Sequence, residues 1–223
     1  MSGRSETRPT VLLTGFGPFP GVPDNASAAL VRHLARLARG RFPAFRFAAA
    51  VLPTEWARAP RRIEALYRRY RPVLALHFGV ASGTQSIRVE TEARNFCRPS
   101  RDATGALPKA VTLCATGPAK RRATIDIPLI VDALNRSGWP CSISNDAGGY
   151  LCNTVLYHSL ALAGSHGCCV GFIHVPSDLA TQPRGMADAE AAALKMIEVA
   201  LEPIRTAAAK TSAQRRPSSM LPK

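Results

Sequence analysis

Apolar residues along this chain alternate between short runs, rich in Val, Ile and Leu, and longer stretches with helical spacing. PTVLLTGFG reads as a buried strand that ends on glycine. After a Gly/Pro-rich loop, ASAALVRHLARLARG places Leu30, Leu34 and Leu37 on one stripe, with Asn25 or Ser27 as its cap and Gly40 as its stop. FRFAAAVLP and PVLALHFGV read as the second and third strands, the latter apolar throughout like a strand buried on both faces. Between them, TEWARAPRRIEALYRRY predicts a helix whose first turn is restricted by Pro60. Residues 84–123 read as irregular, with one short strand around SIRVE. DIPLIVDALNRSG then predicts a helix capped by Asp126 and ended by Gly138. CSISN, CNTVLYHSLALAG, CCVGFIHVP and GMADAEAAALKMIEVALEPIRTAAA follow as strand, helix, strand and a long Ala-rich helix.

Strands alternating with helices indicate an α/β fold, its sheet parallel or mixed and covered on both faces. The chain has 223 residues, which suits one such domain. A single catalytic domain is expected over residues 9–208, between a flexible stretch at 1–8 and a disordered basic tail at 209–223. In sheets of this type ligands bind beyond the carboxyl ends of the strands. Functional side chains are therefore expected just after strands.

Charge and cysteine usage narrow the classes. The net charge of +14 resembles a nucleic-acid footprint. The cations, however, are mostly arginines spread along the chain, in ARLARGR, RRIEALYRRYR, AKRR and AQRR, without interleaved aromatics. Solvated helix faces explain them, and no nucleic-acid partner is expected. The N-terminus lacks the apolar run of a secretory signal, and apolar stretches break before the roughly 20 residues of a membrane span. A cytoplasmic protein without membrane contact is expected. Cys97, Cys114, Cys141, Cys152, Cys168 and Cys169 show neither zinc-site nor disulfide-framework spacing and read as thiols, most of them small buried hydrophobes. The glycines of TGFGPFPG match no nucleotide-binding pattern, so no cofactor or metal is expected.

Cys152 stands apart from the other thiols. In SNDAGGYLCNTVLY a strand ends, two glycines turn the chain, and the cysteine falls in the first turn of a helix. Free N–H groups and the positive dipole end there favour thiolate. His174, in GFIHVP, lies at the carboxyl end of the next strand, where it can take the thiol proton and return it to a leaving amine. His33 and His158 fall inside helices, His166 in a loop and His77 within a strand. A carboxylate should orient the imidazole. Glu90, Glu92 and Asp102 all lie in the stretch after the third strand, and spacing does not choose among them. Phe16 and Phe19 flank the first strand exit and could line a small apolar pocket.

Together these segments resemble the pyroglutamyl peptidase I family of cysteine peptidases, from Val11 to about Pro176. The blocks are VLLTGFGPFPG with Asn25 and Ser27, LPTEW, VETEARN, RDATG, DAGGYLCN and GFIHVP, in the family's order and spacing. The resemblance implies a three-layer α/β/α sandwich around a mixed, largely parallel sheet. It implies Cys152 as nucleophile, His174 as its base and Glu90 as the orienting carboxylate, with the family's Asn on Asn95. The implied reaction removes N-terminal pyroglutamate from peptides with a blocked N-terminus. Phe16 and Phe19 would hold the lactam, the N–H groups around Tyr150, Leu151 and Cys152 would form the oxyanion hole, and Val80 would border the pocket. Bacterial members commonly assemble as homo-oligomers, so a tetramer or dimer is implied.

The chain departs from the family pattern at Thr91, where Arg is usual, at Val80 and Thr84 in GVASGT, and at Ser177 and Asp178. The stretch from Glu90 to Gly105 is one residue short. Two alternatives accompany the peptidase reading: a thiol amidase with another acyl specificity, and a basic polyanion-binding protein with a vestigial site.

Overall fold

The computed structural model describes residues 8–214 apart from positions 166 and 180, with side chains described as far as Ala207. Positions 1–7 and 215–223, and with them most of the expected flexible ends, lie outside the described residues, as does His166. In chain order the elements are β1 (Thr10–Phe16), α1 (Ala26–Arg41), β2 (Arg46–Leu52), α2 (Arg58–Tyr70), β3 (Leu74–Ala81), β4 (Ile87–Glu90), β5 (Glu92–Arg94) and β6 (Lys120–Arg122). Then come α3 (Ile127–Arg136), β7 (Cys141–Ser144), α4 (Leu151–Ala163), β8 (Cys169–Pro176) and α5 (Gly185–Gln214).

Six strands form one mixed sheet in the order β2-β1-β3-β8-β4-β7. All neighbours are parallel except β4 and β8, which run antiparallel with Arg88 opposite His174 and Glu90 opposite Phe172. Alternation along the strands sends side chains to two separate cores. Val11, Leu13, Leu74, Leu76, Phe78 and Ile173 meet α1, α3 and α5 on one face. Leu12, Phe16, Ala75, Val170 and Phe172 meet α2 and α4 on the other. The result is an α/β/α sandwich. The second face also carries a buried polar chain. His77 shares hydrogen bonds with Thr14 Oγ1 and with Ser159 Oγ, each at 2.7 Å, and Ser159 meets the Tyr67 hydroxyl at 2.6 Å. Complete burial drives the His77 pKa down to about 3, so its ring is neutral.

Several sequence expectations shift by small amounts. Asn25 caps α1, its side chain accepting the Ser27 N–H, and Asp126 caps α3 through the Leu129 N–H. Gly40 does not stop α1, however; the helix continues to Arg41 and closes where the Phe42 N–H donates to the Ala38 carbonyl. Leu37 faces solvent, because Val31, Ala35 and Ala38 beside Leu30 and Leu34 already fill the sheet-facing side. The stretch read as irregular holds β5 and β6, a two-stranded antiparallel ribbon outside the main sheet. Helical backbone runs through Pro203 to Gln214, past the tail boundary expected at residue 209.

Close packing of α1 on the end of β1 requires Gly15, where a Cβ would lie 2.3 Å from the Ser27 carbonyl oxygen. Backbone on both sides of that contact leaves no flexible atom to yield. Gly15→Ala is expected to destabilise the fold by about 3 kcal/mol through overpacking. Gly40, helical with nothing near its missing Cβ, is the opposite case. Gly40→Ala should add about 0.5 kcal/mol by removing unfolded-state entropy. Thermal or denaturant unfolding of the two variants checks both signs.

Candidate active site

The site forms where β8 ends and α4 begins. β8 lies between β3 and β4, so His174 has Gly79 as its parallel neighbour and Arg88 as its antiparallel one. The same arrangement brings Glu90, two residues beyond Arg88, to the imidazole. His174 Nδ1–H donates to Glu90 Oε1 at 2.7 Å, and the side chains are 9% and 1% exposed. Glu90 Oε2 is buried and accepts no hydrogen bond from the described residues. With Nδ1 engaged, Nε2 is the ring nitrogen left for Cys152, which borders the same cavity as His174.

Cys152 is the second residue of α4, after Tyr150 at the cap position and Leu151. No side chain caps this helix and no acidic residue lies in its first turn. Its leading N–H groups and positive dipole end are thus left to a negative charge at or near the sulfur. What admits the sulfur is Gly79, where a Cβ would lie 2.9 Å from Cys152 Sγ and 3.0 Å from the Phe172 ring. The sequence did carry a signal for this position, a glycine inside the apolar strand LALHFGV, which marks a close approach.

Charges reinforce one another here. Burial alone would push the His174 pKa down, but the Cys152 thiolate and the Glu90 carboxylate outweigh it and raise the pKa to about 10. The imidazolium is therefore the resting form at neutral pH. Elsewhere in the molecule desolvation raises Cys141 to about 11 and Cys168 to about 12, keeping both thiols protonated.

Glu90, Glu92 and Asp102 separate cleanly in space. Glu92 pairs with Lys120 at 2.6 Å across the β5–β6 ribbon. Asp102 is a loop staple, accepting the N–H groups of Trp56 (2.9 Å), Thr104 (2.9 Å) and Ala106 (3.0 Å). These bonds and that of the Thr104 hydroxyl outweigh desolvation and hold its carboxyl below the usual range. Two asparagines fix the rest of the loop. Asn95 bonds the backbone of Cys114 and Gly117, while Asn153, beside Cys152, bonds that of Arg94 and Phe96. In this way α4 is clamped to the segment following Glu90.

A cavity of about 460 Å³ opens over these groups. Phe16, Phe19, Val80, Tyr150 and Leu151 all border it with Cys152, His174 and Glu90, so every site residue expected from the sequence converges there. Their contributions differ. Phe16 is only 3% exposed and packs on Phe172, so it forms floor rather than wall. Phe19 is half-buried and meets Tyr150 at 6.0 Å between ring centroids. Trp56 stands edge-on behind Tyr150 at 5.1 Å, a support that the sequence did not reveal. Of the departures from the family pattern, Val80 borders the cavity. Thr84 instead closes a local turn with Ser86, and Thr91 bonds Ser144 and Ala123 through its backbone. Asp178 carries a turn toward α5 through its carbonyl, which accepts from Thr181 and Gln182.

Of the remaining histidines, His33 meets Glu190 at 2.8 Å, His158 packs edge-on against Tyr157 and His77 belongs to the buried chain. Among the described residues no three His, Cys, Asp or Glu side chains group to hold a metal ion, and no helix is long and apolar enough to cross a membrane.

Comparison with known proteins bears on the whole chain. The family model described as pyroglutamyl peptidase matches residues 9–214. A pyrrolidone-carboxylate peptidase of Cupriavidus pinatubonensis is 36% identical over 171 residues, covering 75% of this chain and 78% of the relative. One from Gloeobacter violaceus is 34% identical over 203 residues, covering 88% and 97%. Among solved structures, a pyrrolidone carboxyl peptidase variant from Pyrococcus furiosus superposes with a TM-score of 0.79 at 29% identity, covering 87% of this chain and 99% of its own. Bacillus amyloliquefaciens pyroglutamyl peptidase I gives 0.77 at 25% identity, covering 86% and 96%. In sequence and in overall fold alike, this chain belongs to the pyroglutamyl peptidase family of cysteine peptidases.

Proposed function

We propose that this chain removes N-terminal pyroglutamate from peptides, with Cys152 as nucleophile, His174 as acid and base, and Glu90 as the carboxylate that orients His174. The observation that carries this reading is the buried 2.7 Å Glu90–His174 hydrogen bond, aimed at a cysteine in the first turn of a helix inside a family fold. The Cys152 thiolate adds to the pyroglutamyl carbonyl carbon. The oxygen that gains the charge is stabilised by the leading backbone N–H groups of α4, which no side chain caps. His174 gives its proton to the peptide nitrogen, the C–N bond breaks, and the shortened peptide leaves as an amine. Water then adds to the thioester while His174 takes its proton. The C–S bond breaks, and pyroglutamate and free Cys152 are released. Glu90 holds the imidazolium through both halves. The aromatic part of the cavity wall, Phe19 and Tyr150, suits the flat, uncharged lactam.

A thiol amidase with another acyl group remains a second reading, favoured by Val80 on the cavity wall. Hydrolysis of a set of acyl-aminomethylcoumarins separates the two. Pyroglutamyl should be preferred, and turnover should vanish in Cys152→Ala and after iodoacetamide. A preference for another acyl group would establish the second reading.

The carboxylates divide by role. Glu90→Gln is expected to lower kcat/KM by about 100-fold or more through loss of the oriented imidazolium. Glu92→Gln, which touches only the ribbon, should stay within about threefold, on the scale of a surface ion pair. The raised His174 pKa offers a direct spectroscopic check. Because the thiolate raises it, Cys152→Ala should move the His174 midpoint, followed by NMR, well below about 10 toward its ordinary value of 6.5. An unchanged midpoint would show that the two groups do not form an ion pair.

A further inference from the structure

The strand order arranges the cavity as a row across the sheet. Phe16 closes β1, Gly79 lies on β3, His174 on β8 and Arg88 on β4, with the last three level in register. Adjacent strands are about 4.8 Å apart. Phe16 and Arg88 therefore stand on opposite sides of His174. If Phe16 and Phe19 hold the pyroglutamyl ring while Cys152 meets its carbonyl and His174 the scissile nitrogen, the rest of the peptide runs away from Phe16 toward β4. Paired residues on antiparallel strands point to the same face, so Arg88 projects from the sheet on the His174 side, in the path of the departing residue.

Arg88 borders the cavity and is half-buried, and its side chain makes no hydrogen bond or ion pair with any described residue. The two carboxylates of the cavity wall are committed elsewhere. Glu90 holds His174, while Asp146 accepts the Gly148 N–H at 3.0 Å and faces Arg94 at 3.8 Å. Taking a guanidinium partly out of water without a counter-charge is unfavourable, and its planar fork matches a carboxylate. Arg98, the other arginine of the wall, stands apart from β4, its Cβ packed against Gly149 ahead of α4.

We propose that Arg88 is a specificity-determining subsite for a carboxylate on the residue that follows pyroglutamate. This rests on the pyroglutamyl reading above. Two sources supply that group: the α-carboxylate of a pyroglutamyl dipeptide, or an acidic side chain in a longer peptide. The test compares kcat/KM for pyroglutamyl-alanine against its C-terminal amide, and for pyroglutamyl-glutamate amide against the glutamine counterpart. Each comparison is a ratio, so a general loss of activity cancels.

In the wild-type chain the carboxylate member should be favoured by about 10-fold in at least one pair, the worth of one charge-assisted hydrogen bond, and the preference should shrink with added salt. The pair that shows it identifies the source. Arg88→Gln should bring the ratio close to one, Arg88→Lys should retain part of it, and Arg98→Gln should leave it in place. Ratios near one in both wild-type pairs would overturn the inference. So would a preference that survives Arg88→Gln or is lost instead in Arg98→Gln. A chain that cleaves all four peptides and pyroglutamyl-aminomethylcoumarin without preference fails this inference alone. One inert toward all five fails the pyroglutamyl reading and this inference with it.

Discussion

Two opposite charges, Glu90 and His174, are held almost wholly out of water, and the architecture around them serves that pairing. A buried ion pair is stable only when its geometry is good, and removing one partner leaves an uncompensated charge. Among the described residues Glu90 Oε2 finds no donor, so the His174 ring is its principal compensation. That need explains the one antiparallel neighbour in the sheet. β4 runs against β8, and the ladder between them carries Arg88, Val89 and Glu90 past His174, Ile173 and Phe172. Glu90 arrives at the imidazole as part of a strand, with little rotational freedom left to lose.

The nucleophile is placed by subtraction as much as by contact. Helix α4 can set its first turn on the ends of β3 and β8 because Gly79 offers no side chain where Cys152 Sγ sits. The loop after Glu90, long and poor in regular structure, is kept in place by side-chain amides and a carboxylate. Asn95, Asp102 and Asn153 each bond two or more backbone groups. Such polar staples do for an irregular segment what strand ladders do for the sheet.

Much of this was legible before any coordinates. Each main-sheet strand and each helix has its run in the sequence, because alternation and helical spacing report burial directly. Cys152 and His174 were legible because the fold class sends chemistry to strand ends. The carboxylate was legible only through the family resemblance, which singled out Glu90. Spacing left Glu90, Glu92 and Asp102 together in one stretch, and the β4–β8 register, a long-range pairing with no local signature, is what parts them in space. Leu37 and Gly40 misled for a related reason. Local rules set the stripe and the stop, whereas the sheet-facing side of α1 is fixed by what packs against it. Trp56 and Arg88 gain their places from pairing partners far away in sequence.

The neutral His77 in the chain from Thr14 to Tyr67 sets a limit on the acid side. Unfolded, its imidazole takes up a proton as pH falls below 6.5; folded, it declines one until about pH 3. Between those values the unfolded chain binds the extra proton, so the folded form loses stability as pH falls through that range. The burial that seats His77 between α4 and the sheet thereby weakens that contact toward acid, through a residue that takes no part in the chemistry.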